Sequence, residues 1–343
     1  MTSPLIKKSV LLLAALFVSI PMFVQAQVVP DPVQFIVAPE TPAPFSTVQI
    51  EVQGVGSFLG DANIVWTLDG STAKQGVGER FFTFKTGALG KISKVGLRIT
   101  SQTQGVITRS FVFSPSLVNM LWEADTTVPP LSKIKPLYSA GSPLRVVAFP
   151  VVYNGSSRIA ATSLSFQWRL NDNPITNASG LGRSVLNIQG DQLRNTEDVQ
   201  VDVYFGNTKV AQGELSIPAV TPNVILYERD ALRGTIIDTA IPQSINLQGK
   251  EITLQAEPLY FSALARTNGA LRYIWTIGDT ETTGPLSAQG VLTLRQTGGG
   301  VGSATIGVSV QNQNNSQFVQ AADAFVQMVF GQSPGLLRSL FGI

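Results

Sequence analysis

Glu123 and Asp125 in "LWEADTTVPP", and Glu228 and Asp230 in "LYERDALRG", are the residues whose types and spacing come nearest to a ligand centre. Acids two apart on a strand put their carboxylates on one side, and hard cations such as calcium take carboxylate and carbonyl oxygens. Each segment opens a repeat, so one expectation is a calcium site that stiffens a junction between domains. Calcium takes about six to eight oxygens, and each junction offers two acids. The plainer expectation is an edge strand whose aromatic, Trp122 or Tyr227, packs at the junction while the acids stay in water and discourage edge pairing.

Other chemistry is largely removed by composition. The 343-residue chain has no cysteine and no histidine, which excludes thiolate and imidazole nucleophiles, Ser-His-Asp triads and the usual zinc sites. Carboxylate, Ser-Lys and hard-cation chemistry remain. No sequence feature selects a carboxylate pair for glycoside hydrolysis. The glycine-rich "TGGGVGSA" precedes a strand instead of opening a helix and carries no phosphate-binding lysine, so it reads as a loop. The expectation is a protein that is not an enzyme and uses no cofactor.

The elements that must position these residues are short strands. Charged residues make up 13% of the chain, against 31 glycines and 20 prolines, a balance that suits strands joined by turns. The strongest signal is a repeat. "ANIVWTLDG", "LSFQWRLND" and "LRYIWTIGD" place Trp66, Trp168 and Trp275 at intervals of 102 and 107 residues, one sandwich domain each. Upstream of each lies a period-two strand with an inner triplet, Val48/Ile50/Val52, Leu144/Val146/Ala148 or Ile252/Leu254/Ala256, which leaves Gln49, Glu51, Thr253 and Gln255 facing water. Downstream, Phe82/Phe84, Leu186/Ile188 and Leu292/Leu294 mark a second inner strand. Val95/Leu97/Ile99, Val199/Val201/Val203 and Ile306/Val308/Val310 mark a third. The reading is all-β, with three similar sandwiches at 27–117, 118–219 and 220–330.

Leu271, Tyr273, Trp275 and Ile277 share one face of their strand, so the tryptophans are expected between two sheets as structural core, not as exposed platforms for a sugar. The pattern resembles the immunoglobulin-like superfamily, and within it the PKD-like branch, through Tyr273, Trp275, Gly278 and Asp279 of "YIWTIGDTE". The first repeat keeps Trp66, Asp69 and Gly70, and the second keeps Phe166, Trp168 and Asp172. The acid that usually follows the tryptophan in that branch is Thr67, Arg169 or Thr276 here. The segments "LWEAD", "SPLRVVAFP", "LYERD" and "ITLQAEPLYF" are also similar to exported proteins of candidate-phylum, small-genome bacteria. That resemblance implies a cell-envelope or surface protein built of Ig/PKD-like repeats.

The ends are of another kind. Lys7 and Lys8 precede an apolar run, and Val24 and Ala26 flank Gln25 at processing spacing, which reads as a secretory signal over residues 1–26. Without its two lysines the chain has equal numbers of basic and acidic residues, so neither a nucleic-acid footprint nor a polybasic membrane patch is expected. At 331–343, Ser333 and Pro334 suit a helix start, with Leu336, Leu337, Leu340 and Phe341 on one face. That face suits the chain's own third domain, a membrane surface or an envelope partner. The linkers "FSPSLVN" and "SIPAVTPNV" are too short to be floppy. Together these features predict an exported protein of the periplasm, cell surface or exterior, acting as a semi-rigid structural or adhesive rod with an envelope or surface protein as partner. The alternative is a secreted or periplasmic binding module for a polysaccharide or small ligand, against which stands the lack of clustered loop aromatics.

Overall fold

A computed structural model describes residues 31–54, 57–129, 133–247, 249–313 and 320–331. The expected secretory signal at 1–26 and the expected partner-binding residues Leu336, Leu337, Leu340 and Phe341 lie outside them. Among the described residues no helix is long and apolar enough to cross a membrane.

The alternating runs become strands because one side of each is apolar. The first seven are β1 (Val33–Ala38), β2 (Thr47–Gly54), β3 (Asn63–Leu68), β4 (Ser71–Val77), β5 (Phe81–Lys85), β6 (Ser93–Ser101) and β7 (Gly105–Phe113). They form a three-stranded sheet β1-β2-β5 and a four-stranded sheet β4-β3-β6-β7, antiparallel throughout. Val48, Ile50 and Val52 of one sheet and Ile64, Trp66, Val95, Leu97 and Ile99 of the other close a single buried core. Trp66 stacks on Phe82 at 5.3 Å between centroids, and Phe84 continues the row to Phe113.

The next ten strands repeat the plan. They are β8 (Leu117–Ala124), β9 (Pro143–Val151), β10 (Tyr153–Asn154), β11 (Ser157–Arg158), β12 (Ser165–Leu170), β13 (Asn173–Pro174), β14 (Gly180–Leu181), β15 (Val185–Gln189), β16 (Thr196–Phe205) and β17 (Thr208–Pro218). Sheet β15-β9-β8 meets β13-β12-β16-β17 over a core of Leu144, Val146, Phe166, Trp168, Leu186, Val199, Val201 and Val203. In both units the strand after the tryptophan stays beside it in a hairpin, instead of crossing to the first sheet as in constant-type immunoglobulin domains.

The third unit contains β18 (Asn223–Asp230), β19 (Gly234–Ala240), β20 (Ser244–Asn246), β21 (Glu251–Leu259), a five-residue helix α1 (Ala263–Thr267), β22 (Leu271–Ile277), β23 (Thr280–Thr282), β24 (Val291–Arg295), β25 (Gly302–Asn312) and β26 (Ala321–Phe330). Its sheets are β19-β18-β21-β24 and β20-β26-β25-β22-β23. Here the expectation that the segment opening the repeat is an edge strand needs correction. Two additional strands between β18 and β21 extend both sheets, and β20 runs parallel to β26, so β18 is an internal strand and not an edge. Its Tyr227 is therefore buried.

Gln255 also departs from the alternation, which predicts it facing water: it is 8% exposed. Its cross-strand partner is Tyr227, and Arg229 donates to its Oε1 at 3.4 Å, so the outer face of this strand is itself covered. Ile277 departs in the opposite sense. It shares a face with Trp275 and is 39% exposed, because the sandwich is open at that end.

The turns that follow the tryptophan strands are two-residue hairpins. Asp69 and Gly70, and then Asn171 and Asp172, all have positive φ, the geometry of a type I′ turn. Asp69 Oδ1 accepts from Lys94 N at 2.8 Å, and Asn171 Oδ1 accepts from Asp198 N at 3.0 Å, tying each turn to the neighbouring strand. These are tandem immunoglobulin-like β-sandwiches, joined by three residues between β7 and β8 and by four between β17 and β18.

Candidate functional site

The predicted core residues Trp66, Trp168 and Trp275 are 0%, 1% and 1% exposed. Trp66 Nε1 donates to the Glu79 carbonyl at 2.8 Å and Trp168 Nε1 to the Arg183 carbonyl at 2.9 Å. Both acceptors lie two residues before the strand that pairs with the inner triplet. In the third unit that position falls in a 3-10 turn at Ser287–Gln289, and Trp275 Nε1 has no hydrogen-bond partner among the described residues.

The junction acids do not converge. Glu123 pairs with Arg145 at 3.3 Å on an exposed strand. Asp230 Oδ1 caps its own turn, accepting from Leu232 N and Arg233 N at 2.8 and 2.9 Å; those backbone bonds hold its carboxyl below the usual range, with Arg233 adding to the effect. Asp125 and Glu228 are exposed. Among the described residues no three acids gather as metal ligands, so the calcium expectation at Glu123, Asp125, Glu228 and Asp230 finds no cage. Trp122 packs on its own domain's core and carries Lys135 Nζ at 4.1 Å over its ring.

The groups that do converge lie between the second and third units, and sequence spacing did not mark them. The long segment between β8 and β9 reaches the third domain. Thr127 N donates to the Phe261 carbonyl at 2.7 Å, Tyr260 N to the Thr127 carbonyl at 2.7 Å and Ala263 N to the Asp125 carbonyl at 3.1 Å. Thr126 and Ser262 form an antiparallel bridge. Gln320, just before β26, completes the contact. Its Nε2 donates towards Ser139 Oγ (2.7 Å), Ser142 Oγ (2.9 Å) and the Ala140 carbonyl (3.1 Å). Its Oε1 accepts from Ser262 N and Asn312 Nδ2, both at 3.0 Å. Both ends of this amide are used, which fixes its orientation.

Behind that clasp lies a buried polar hub. The Glu197 side chain is wholly enclosed and accepts from Tyr138 Oη at 2.8 Å and Asn171 Nδ2 at 2.6 Å. Burial, reinforced by the Glu197 carboxylate, pushes the Tyr138 phenol far above its ordinary pKa. Tyr138 in turn gives its carbonyl to Val220 N at 2.7 Å, so the hub anchors the linker into the third unit.

The joint between the first and second units is looser. Lys209 reaches Glu40 at 3.8 Å, and the Tyr153 ring lies against Gly90, where an added Cβ would come within 3.3 Å of it. Lys209 is also held at 2.8 Å by the buried Asp202. A small cavity of about 160 Å³ remains between the two sandwiches.

A larger cavity opens at one end of the third sandwich. Its volume is about 490 Å³, and its walls include Leu247, Ile277, Leu294, Ala304, Met328 and Phe330. Its rim includes Thr282, Thr293 and Arg295. Arg295 is committed to Glu251 at 2.5 Å.

No protein-family model and no curated protein matches the chain. Among solved structures it is similar to the three N-terminal domains of the bacteriophage RB49 Highly Immunogenic Outer Capsid protein, with 10% identity over 88% of this chain and 98% of that one at a TM-score of 0.27. The central fibronectin-III array of RIM-binding protein is 12% identical over 88% and 98% of the two chains, with a TM-score of 0.28. Bacteroides ovatus SGBP-B, in complex with a mixed-linkage heptasaccharide, is 10% identical over 87% and 70%, with a TM-score of 0.23. Superpositions this weak carry no argument about ligand, partner or activity. The assignment of the fold rests on the sheet order and the three cores.

Proposed function

We propose that the chain is a non-catalytic module of the cell envelope or surface, an exported semi-rigid rod that holds Ig-like edges and loops at a distance from their attachment. Its domains are taken as 27–117, 118–219 and 220–330, in the PKD-like branch and akin to exported proteins of small-genome bacteria. The observation that carries the reading is the clasp at Gln320, Thr126 and Thr127. Backbone and side-chain bonds across a domain junction resist bending, whereas a freely jointed pair would share only a short linker. The outer face of the β8–β9 pair supports an adhesive role: Leu121 and Phe149, diagonal neighbours by register, are both exposed.

Solution scattering tests the rod. Strands of nine to eleven residues give each sandwich a length of about 30–36 Å at ~3.3 Å per residue. Three in line reach about 100 Å, with a radius of gyration near ~30 Å, against ~20 Å for a compact globule of this length. A value near the compact figure would refute the rod. Recovery in the soluble cytoplasmic fraction of the native cell would refute the envelope assignment.

A further inference from the structure

The three sandwiches close differently at the end that carries the hairpin after the tryptophan, and the strand register makes their positions comparable. Trp66, Trp168 and Trp275 pair with Leu97, Val201 and Val308. Two inner positions earlier on the same strands stand Ser93, Glu197 and Ala304, opposite Phe113, Ile217 and Met328. In the second unit this end is closed by a ring. Tyr138 is wholly buried, its hydroxyl donates to Glu197 at 2.8 Å, and its ring lies over Gly190, where an added Cβ would come within 2.6 Å of it. In the first unit Phe84 and Phe113 meet there, with centroids 5.1 Å apart.

Among the described residues the third unit has neither closure. By the same register Ala304 stands for Glu197, Leu294 for Phe84, Gln296 for Gly190 and Met328 for Phe113. All four line the cavity of about 490 Å³. Ile277, whose counterparts Leu68 and Leu170 are half-buried, is 39% exposed at its mouth. We propose that this cavity is a binding site for a neutral small molecule of about three rings that carries one hydrogen-bonding group. Rings are what the other two units place at this end, and a cavity of ~150 Å³ takes one benzene, so the volume suits about three. The wall is mixed: Leu294, Ile306, Met328 and Phe330 face the body of such a molecule, while Thr282, Thr283 and Thr297 bring hydroxyls that donate or accept. Its one charged side chain, Arg295, is neutralised by Glu251 at 2.5 Å, so an ionised ligand would be desolvated without a partner. A cleft of this size between two sheets, apolar within and with a few polar groups at its edge, has the usual make-up of a small-molecule site.

The test is a fluorescence titration of the full chain with N-phenyl-1-naphthylamine, a neutral probe of three rings and one N–H that brightens on leaving water. One equivalent should bind saturably. Ala304→Phe, which puts a ring where the second unit has Tyr138, should weaken binding at least about ten-fold, or about 1.4 kcal/mol. Ile277→Glu, at an exposed position, should weaken it to a similar extent; should Ala304→Phe unfold the third domain by circular dichroism, this variant decides. The anionic 1-anilinonaphthalene-8-sulfonate should bind at least about ten-fold more weakly than the neutral probe, because its charge finds no partner in the cavity. The absence of a saturable rise, or equal affinity for the parent and the folded variants, would overturn the proposal. Equal affinity for the two dyes would overturn the neutral class of ligand. Binding seen only after residues 332–343 are removed would overturn it too, since the chain itself would then be the occupant.

Discussion

Replacing Trp168 and Trp275 by phenylalanine, one at a time, should have very different costs although both rings are buried to the same degree. Each change removes part of a core side chain, worth about 1–2 kcal/mol on the scale of partial truncations. Trp168→Phe also strands the Arg183 carbonyl that the indole satisfies at 2.9 Å, adding about 1–3 kcal/mol. Trp275→Phe removes a buried donor that has no partner among the described residues, which returns about 1–3 kcal/mol. The first variant should lose about 2–5 kcal/mol and the second close to nothing. At ~4–8 °C per kcal/mol for a domain of this size, their midpoints should fall by amounts that differ by about 10 °C or more. Calorimetry of the full chain measures this, with the affected transition assigned by the variant that moves it. Trp66→Phe should behave as Trp168→Phe, because it too loses a carbonyl bond. Equal losses at 168 and 275 would show that Trp275 Nε1 is satisfied, by water or otherwise, and would refute the distinction.

Gln320→Ala should leave each sandwich folded but uncouple the second and third transitions, at a cost of about 1–3 kcal/mol from the buried partners it abandons; unchanged coupling in calorimetry would show that the Thr126–Thr127 contacts suffice alone. Lys209→Met should leave the buried Asp202 with Arg169 as its remaining partner, so only the double change Lys209→Met/Arg169→Met should strand that carboxylate, whereas Glu40→Gln should change stability by less than about 0.5 kcal/mol, since an exposed pair at 3.8 Å contributes little. The Tyr138 phenol titrates higher in the folded chain than unfolded, by burial and the Glu197 carboxylate. The unfolded state therefore loses its proton first as pH rises, so stability is full below the ordinary tyrosine value of about 10 and declines above it. Tyr227 and Tyr273, raised chiefly by burial, add to the same decline. Denaturant midpoints across alkaline pH should fall more steeply in the parent than in Tyr138→Phe; parallel curves would place the alkaline sensitivity elsewhere.

The sequence by itself determined which strands exist and which sides face inward. Val48, Ile50 and Val52, or Val199, Val201 and Val203, are buried because period-two alternation is a local property of the extended chain. The tryptophan spacing likewise fixed how many cores there are, since each sandwich needs one set of inner faces. What packs on an outer face is not local, and only the tertiary structure decided it. Gln255 is buried because Tyr227 and Arg229 lie over it, and β18 is internal because β19 and β20 were inserted beside it and its partner sheet. Gln320 meets Ser139 across 181 positions of sequence, and both sit in segments without hydrophobic periodicity. A polar side chain satisfied by distant backbone leaves no pattern in its neighbours, so the residues that tie one domain to the next are the ones that alternation and spacing leave unmarked.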